Sequence, residues 1–382
     1  MKKIKVLHLI TKLELGGAQV NTVYTYENLD QNHFDTYLVS GAGGILTDKI
    51  QKKDNLFIAH DLVRQLNPVK DLKAFFQLRK IFKKIKPDII HTHSSKAGIL
   101  GRTVASLMRI PVIVHSVHGF SFSPYQSFLT RTFYITAEKI VSKMTRHFVF
   151  VSNDDIGIAR QMKLVRENYS LIRSGFPFKK FQKTNENTTA LREKYNIKET
   201  DFVCGIIAPF KPQKGLFHLI EIAARVAAAV AASKKNILFM ITGDGDLREA
   251  IEAKLKEKGI FDNFRLPGFI FDIENAIDLF HLGVSTALWE GLPQSLIQLR
   301  LKKKAVVASD IPGNREVIRE NKNGFLVDVE NYETFAERIV YLVENETERE
   351  RLASFDEENF SQWDADFMVK EQEKLYKKLT TD

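Results

Sequence analysis

Short apolar runs alternate along this chain with longer stretches in which apolar residues recur every three or four positions. In the first half the runs at 5–10, 35–39, 88–91, 112–117 and 147–151 predict strands buried on both faces. The stretches between them, at about 18–28, 70–85, 96–108 and 130–145, carry the helical period. Strands separated by amphipathic helices build βαβ units and a parallel sheet. The pattern restarts after Gly175-Phe176-Pro177, with strands predicted at 202–207, 237–242, 264–266, 282–286 and 305–309. Helices are predicted there at about 215–231, 246–258, 272–279, 294–301 and 313–320. The polar, Asn-rich stretch 179–189 reads as linker.

The resulting expectation is an α/β chain of two doubly wound domains whose strand C-termini face a shared cleft. The predicted boundaries are 1–175, 176–360 and a tail, 361–382, that holds a charged helix at 363–379.

Composition agrees with two cores: 382 residues, 44% apolar and 27% charged, are too many for one ordinary domain and too apolar for disorder. The one cysteine, Cys204, has no intrachain partner for a disulfide, which points to a reducing compartment. The first ten residues imitate a signal peptide, but the apolar run breaks at Thr11-Lys12 with no small-residue cleavage site, so a first strand is expected. No stretch approaches the roughly 18 apolar residues of a membrane span. The expected location is the cytoplasm, or the inner face of the cell membrane as a peripheral protein. Charge is uneven, with +15 on residues 1–180 and −6 on the remainder. A basic half beside an acidic one suggests an anionic partner, nucleic acid or lipid, for the first domain. No zinc-finger or RNA-recognition motif accompanies it.

Several loops carry candidate chemistry. Gly16-Gly17 lies between the first strand and its helix, where it is either a tight turn or a place for backbone N–H groups to meet a phosphate. Lys211-Pro-Gln-Lys214-Gly215 occupies the same place in the second domain, where a lysine either is solvated or neutralises a diphosphate. Asp244-Gly-Asp246 imitates a metal-binding DxD, but as the turn after a strand it reads as a loop with a helix cap. Glu290-Gly-Leu-Pro-Gln-Ser-Leu-Ile-Gln298 is the most specific piece: a carboxylate ends a strand and a helix begins beyond a Gly-Leu-Pro turn. The carboxylate suits sugar hydroxyls and the helix N-terminus suits a diphosphate, against the plainer reading of a capped loop. His118 ends the strand 112–117, pointing either into a ligand crevice or into the core. His91-Thr-His93 has the spacing of a metal pair without a carboxylate or thiol cluster, and no metal is expected.

Six aromatics, Phe120, Phe122, Tyr125, Phe128, Phe133 and Tyr134, stand among Arg131, Lys139, Lys143 and Arg146, as at a membrane interface or in a core. On the helix at 70–85 the stripe Leu72, Phe75, Phe76, Phe82 and Ile85 is expected to face the core. Its opposite face, with Lys73, Arg79, Lys80, Lys83 and Lys84, is either solvated or turned to anionic lipid.

Taken in order, "HLITKLELGGAQ", "PDIIHTHSSKAGILGR", "VHSVHGFSF", "VSNDD", "PFKPQKG", "ITGDGDLRE", "WEGLPQSLIQ" and "SDIPGNREVI" resemble glycosyltransferase family 4, over residues 8 to 318. The HTHSSKAG and VHGFSF pieces resemble bacterial members that build surface polysaccharide on a lipid carrier. The resemblance implies the GT-B fold, two Rossmann-like domains facing a central cleft, with the last helix crossing back to the first. It also implies a retaining, metal-independent hexosyltransferase that uses a nucleotide-sugar, by preference a UDP-sugar, as substrate and needs no cofactor. Its partners would be that donor and a lipid-linked or glycan acceptor, with no nucleic acid. By position, Gly16 and Gly17 would lie near the diphosphate and the acceptor, and His118 would contact the donor sugar. Lys214 would hold the diphosphate and Glu290 the transferred sugar, with Gly291, Leu292 and Pro293 beside it. Lys211, Gly243, Phe269 and Gln298 complete the implied donor set, and His118, Lys214 and Glu290 are the implied catalytic residues.

Two positions depart from the family pattern. Gln298 stands where a ribose-binding glutamate is usual, at a cost of about 1 kcal/mol in binding. Pro209 stands where an arginine usually pairs with the diphosphate, a loss of roughly 2–5 kcal/mol that Lys211 is near enough in sequence to offset. These departures motivate one alternative, a catalytically weak homologue acting as a partner or membrane-bound subunit. A nucleotide-sugar 2-epimerase on the same fold is the other.

Overall fold

The structure is a computed structural model that describes residues 2–14, 16–120, 128–182, 188–231, 235–355 and 360–381. It divides into two compact units, 1–176 with 361–382, and 177–360.

The first unit holds a seven-stranded sheet in the order β3-β2-β1-β4-β5-β6-β7. Its strands are β1 Ile4–Ile10, β2 Phe34–Ser40, β3 Leu56–Ile58, β4 Ile89–His93, β5 Val112–Val117, β6 His147–Phe150 and β7 Tyr169–Leu171. Every pairing is parallel, as βαβ connections require. The helices are α1 Gly17–Asn28, α2 Pro68–Ile85, α3 Ser95–Leu107, α4 Phe128–Ser142 and α5 Asn153–Gln161. Asn67 caps α2 by accepting a hydrogen bond from Lys70 N at 3.0 Å, and Pro68 occupies the first turn, where its missing N–H costs nothing. Leu78, Phe82 and Ile85 of α2 pack with Val104 of α3 and with Leu7, Leu9 and Ile90 of the sheet. The C-terminal helix, Ala365–Thr381, packs in this unit too, its Met368, Val369, Leu375, Tyr376 and Leu379 joining Val6, Phe34 and Val114.

The second unit is a six-stranded parallel sheet in the order β10-β9-β8-β11-β12-β13. The strands are β8 Asp201–Ile207, β9 Asn236–Thr242, β10 Phe264–Gly268, β11 Leu282–Ser285, β12 Val306–Ser309 and β13 Gly324–Val327. The helices that matter below are α6 Leu216–Val230, α7 Arg248–Glu257, α8 Gln294–Leu301 and α9 Tyr332–Glu344. Leu219, Ile222, Ala223 and Val226 of α6 pack with Phe335, Ile339 and Leu342 of α9 over β8, a core of apolar residues at helical spacing. Cys204 lies in this core, fully buried, and burial pushes its thiol up out of the reactive range.

Four sequence expectations are corrected. Strands β3, β7 and β13, each at a sheet edge, are additional to the expected ones, and β3 and β7, three residues each, are too short to show a period. The helix expected at 313–320 is the single turn Pro312–Arg315, after which Val317 N and Ile318 N donate to Asn314 O. The stretch 179–189 is not all linker, because Phe178–Phe181 and Thr188–Lys194 are helical. On α2, Leu72 is 60% and Phe76 57% exposed, so the inward stripe is Ala74, Leu78, Phe82 and Ile85. Ala74, Leu78, Phe82 and Ile85 share one helical face, and Leu72 and Phe76 lie off it.

Candidate active site

In the second unit the candidate residues gather at the C-terminal ends of β8 to β12, where a doubly wound sheet places its ligands. After β8 the chain runs through 208–215 as an extended loop and a single tight turn, Pro212–Lys214. Gly215 ends that turn at φ +59°, and a Cβ there would lie 2.1 Å from Thr286 O, so only glycine lets the loop lie this close to β11. Three bonds strap the loops together: Leu288 N donates to Gln213 O at 2.8 Å, Gln213 Nε2 to Trp289 O at 2.8 Å, and Thr286 Oγ1 to Lys214 O at 3.1 Å. Lys214 Nζ therefore meets Glu290 Oε1 in an ion pair, with the two side chains 16% and 12% exposed. Gln213 Nε2 donates to Glu290 Oε2 at 3.3 Å, so both carboxylate oxygens have partners. Gly313 supports the same loop from the other side, since a Cβ there would lie 2.4 Å from Glu290 O. Beyond Glu290, half-buried Gly291 and buried Leu292 and Pro293 lead into α8. No side chain caps α8; in its first turn Leu296 N donates to Pro293 O at 3.0 Å, and the N–H groups of Gln294 and Ser295 precede it at the helix start. Gln298 sits half-buried further along α8.

The remaining candidates of this unit border the same loops. Lys211 is half-buried at the start of the turn. Gly243 N donates to Gly268 O at 2.9 Å, which places Gly243 beside Phe269, a ring 46% exposed. Asp244 Oδ1 accepts from Gly245 N and Arg248 Nε, both at 2.8 Å, and Arg248 lies 5.2 Å over the Phe210 ring. Asp244 thus ties its loop to α7 through Arg248. It does not cap the helix, whose N-cap is Leu247 without a side-chain bond, and this corrects the cap expected there.

In the first unit Gly16 is the N-cap of α1, with extended backbone at φ −163°. A Cβ on Gly16 would meet, among the described residues, only the movable side chain of Gln19, at 2.7 Å. The unit's own packing therefore places no steric demand for glycine at 16. Gly17 opens the helix, and its carbonyl accepts from Asn21 Nδ2 at 2.8 Å.

His118 follows β5 and is half-buried. It ends a line of imidazoles under α1 and the C-terminal helix. His118 Nε2 lies 3.3 Å from His93 Nδ1, and His93 Nε2 lies 3.1 Å from His8 Nδ1. His91 is the register partner of His8, and its nitrogens meet Tyr376 Oη at 2.5 Å and Ser116 Oγ at 2.7 Å. Burial drives every one of these rings toward the neutral form: His8 to about 3, His118 to about 4, and His91 and His93 well below the usual range. Nitrogens of His8, His91 and His93 lie within 4.8 Å of one another, so the HxH pair has a third imidazole beside it. Both nitrogens of His91 and of His93 are already engaged in hydrogen bonds.

Sequence reasoning misses two residues of these arrangements, Gln213 and His93. Gln213 stands between the two lysines of KPQKG with no signal of its own, and the HxH spacing of His93 points only to metal. Of the six aromatics, Phe122 and Tyr125 lie outside the described residues, while Phe128 and Phe133 are 79% and 51% exposed.

Two families match the chain, one over each unit. "Glycosyltransferase Family 4" matches residues 15–178, and "Glycosyl transferases group 1" matches residues 187–358. Among curated relatives, the Escherichia coli UDP-Gal:alpha-D-GlcNAc-diphosphoundecaprenol alpha-1,3-galactosyltransferase is 29% identical over 90% of this chain and 89% of its own length. The Campylobacter jejuni N,N'-diacetylbacillosaminyl-diphospho-undecaprenol alpha-1,3-N-acetylgalactosaminyltransferase is 25% identical over 87% and 88% of the two chains. Among solved structures, Anabaena Alr3699/HepE in complex with UDP and glucose superposes with a TM-score of 0.83 at 17% identity, covering 98% of this chain and 100% of that one. WaaG, a glycosyltransferase involved in lipopolysaccharide biosynthesis, superposes with a TM-score of 0.78 at 15% identity, covering 97% and 99%. The chain belongs to glycosyltransferase family 4 and has the GT-B fold.

Proposed function

We propose that this glycosyltransferase moves a sugar from a UDP-sugar to a lipid-linked acceptor in bacterial surface-glycan synthesis, with retention of anomeric configuration and without a metal. The observation that carries the reading is the Lys214–Glu290 pair, held by Gln213 beside the uncapped start of α8. An ammonium group and the N–H groups at a helix start suit a diphosphate, and a carboxylate suits sugar hydroxyls. UDP appears in the description of the Escherichia coli relative and with HepE, and lipid-linked acceptors in those of the two curated relatives.

The chemistry follows from those groups. Donor binding exchanges the Glu290 partner of Lys214 for the diphosphate, and the carboxylate, still held by Gln213, turns to the sugar. The bond between the anomeric carbon and the β-phosphate oxygen breaks, and the electron pair leaves with UDP. Lys214 and the first N–H groups of α8 stabilise that growing charge in place of a metal. The acceptor oxygen forms the new bond on the same face and passes its proton to the departing phosphate oxygen. His118 contacts the transferred sugar. Gly16, free of any packing demand from its own unit, lets an oxygen of the donor or acceptor approach the start of α1.

The deciding experiment mixes purified protein with UDP-, GDP- and ADP-sugars and undecaprenyl-diphosphate-linked sugars in EDTA, and follows product by mass spectrometry. Transfer from a UDP-sugar in EDTA, with an α-linked product from an α-linked donor, is the expected result. Activity that chelation abolishes and a divalent ion restores overturns the metal-free step. Absence of nucleotide-sugar binding at millimolar concentration favours the non-catalytic alternative, with Pro209 and Gln298 as its cause. Conversion of free UDP-GlcNAc without acceptor favours the epimerase.

A further inference from the structure

We infer that His93 is a positioning residue for His118, and that the line His8–His93–His118 holds His118 in the tautomer protonated on Nδ1. The inference about the rings stands on the first unit alone; what the ring then does to a sugar rests on the function proposed above.

Each link in the line joins two nitrogens, so one must carry hydrogen and the other a lone pair. With all three rings neutral, each has a single N–H, and the line has two consistent directions. In one, His118 Nε2–H donates to His93 Nδ1 and His93 Nε2–H donates to His8 Nδ1. His8 must then carry its hydrogen on Nε2. That atom is buried without a hydrogen-bond partner among the described residues, and His8 is 0% exposed. In the other direction His8 Nδ1–H donates to His93 Nε2, and His93 Nδ1–H donates to His118 Nε2. The atom left over on His8 is then a bare lone pair. A buried N–H without an acceptor is the rarer and more costly defect than an acceptor without a donor. The dead end at His8 therefore sets the direction of the whole line.

Two consequences reach His118. Its Nε2 lone pair is engaged by His93, so Nε2 is not available as a base. Its hydrogen stands on Nδ1, for which the described residues provide no acceptor. His118 thus offers a donor, suited to a hydroxyl or phosphoryl oxygen of a ligand. His8 stands on β1 and His93 on β4, two paired strands, and His118 directly follows β5, the other neighbour of β4.

The test begins on the unmodified full chain, labelled with 15N-histidine, by long-range 1H–15N correlation near pH 7.5, with His118→Asn identifying the signals. A His118 signal with Nδ1 in the N–H range and Nε2 in the lone-pair range is expected. The reverse pattern, or averaging between the two, overturns the inference, and both are read on the wild-type protein. The function-linked arm compares His93→Asn, whose amide keeps a donor near the Nδ1 position, with His93→Leu, which has none. Binding of UDP alone and of UDP-galactose is read by calorimetry. His93→Leu is expected to weaken UDP-galactose about fivefold, the worth of one neutral hydrogen bond, and to leave UDP unchanged. His93→Asn is expected to restore most of that loss. Equal weakening of both ligands by both variants means a merely structural role and overturns the positioning claim. If His118→Ala leaves UDP-galactose binding and transfer intact, the functional reading of His118 fails while the tautomer result still stands.

Discussion

Lys214 and Glu290, 76 residues apart in sequence, form an ion pair at the ends of β8 and β11, two strands that are neighbours in the sheet. Each neutralises the other before a ligand arrives, so both begin in place. Replacing either changes chemistry more than folding. Lys214→Ala should lower kcat about 10²–10³-fold, in line with removal of one pre-placed electrostatic donor. Glu290→Gln should cost about 10- to 100-fold, the worth of a charge-assisted bond to a sugar hydroxyl. Steady-state transfer assays with a UDP-sugar check both, and wild-type kcat in Lys214→Ala removes the lysine from the mechanism.

A second ion pair belongs to the fold. Arg102 on α3 is 0% exposed, and its Nη2 donates to Glu138 Oε1 and Oε2 on α4, both at 2.8 Å. Its Nε donates to Gly98 O at 2.9 Å. Removing one partner strands a buried charge, so Glu138→Ala should cost about 3–5 kcal/mol. The double replacement Arg102→Met with Glu138→Leu should recover most of that. Urea midpoints of the single and double variants measure it, and equal loss in both contradicts the electrostatic account.

Acid should weaken the first unit before the carboxylates titrate. His8 and His118 are held neutral at about 3 and about 4, below the ordinary histidine value of 6.5. An unfolded chain takes up protons from pH 6.5 downward while the folded chain does not, so stability falls as pH drops through that interval. The contribution is fully present above 6.5 and continues to be lost until the folded rings themselves protonate. For His8 the loss at pH 5 is up to about 2 kcal/mol. Urea midpoints at pH 7.5 and 5.0 should differ accordingly, with a smaller difference in His8→Asn.

The outward face of α2 combines apolar side chains with cations. Val69, Leu72 and Phe76 are 65%, 60% and 57% exposed, among exposed Lys70, Lys73, Arg79 and Lys80. On α4, Phe128, Phe133 and Ile140 are exposed beside Arg131, Lys139 and Lys143. This pattern suits an anionic bilayer surface, where rings enter the interface and ammonium groups meet headgroups. Leu72→Asp with Phe76→Asp should reduce sedimentation with phosphatidylglycerol vesicles on the order of tenfold, with little change in thermal stability. Undiminished binding by the variant, or no sedimentation of the wild-type chain with the vesicles, overturns a membrane role for this face.

The amino-acid sequence by itself determined the two βαβ repeats and the loops where function is sought. Buried parallel strands are nearly continuous apolar runs, and glycine, lysine and glutamate at their C-terminal ends stand out against that background. It also marked Lys214, Glu290 and His118, because each ends or follows a recognisable strand or motif. What partners these residues have was decided only by the tertiary structure. The Lys214–Glu290 pair depends on β8 lying beside β11, which is sheet order, and local pattern carries no information about sheet order. The line from His8 through His93 to His118 depends on the register of β1 against β4 and of β4 against β5. The inward face of α2 was settled by packing, which buries Ala74, Leu78, Phe82 and Ile85 and leaves Leu72 and Phe76 outward. Hydrophobicity alone says which residues seek cover, and only packing decides which of them find it.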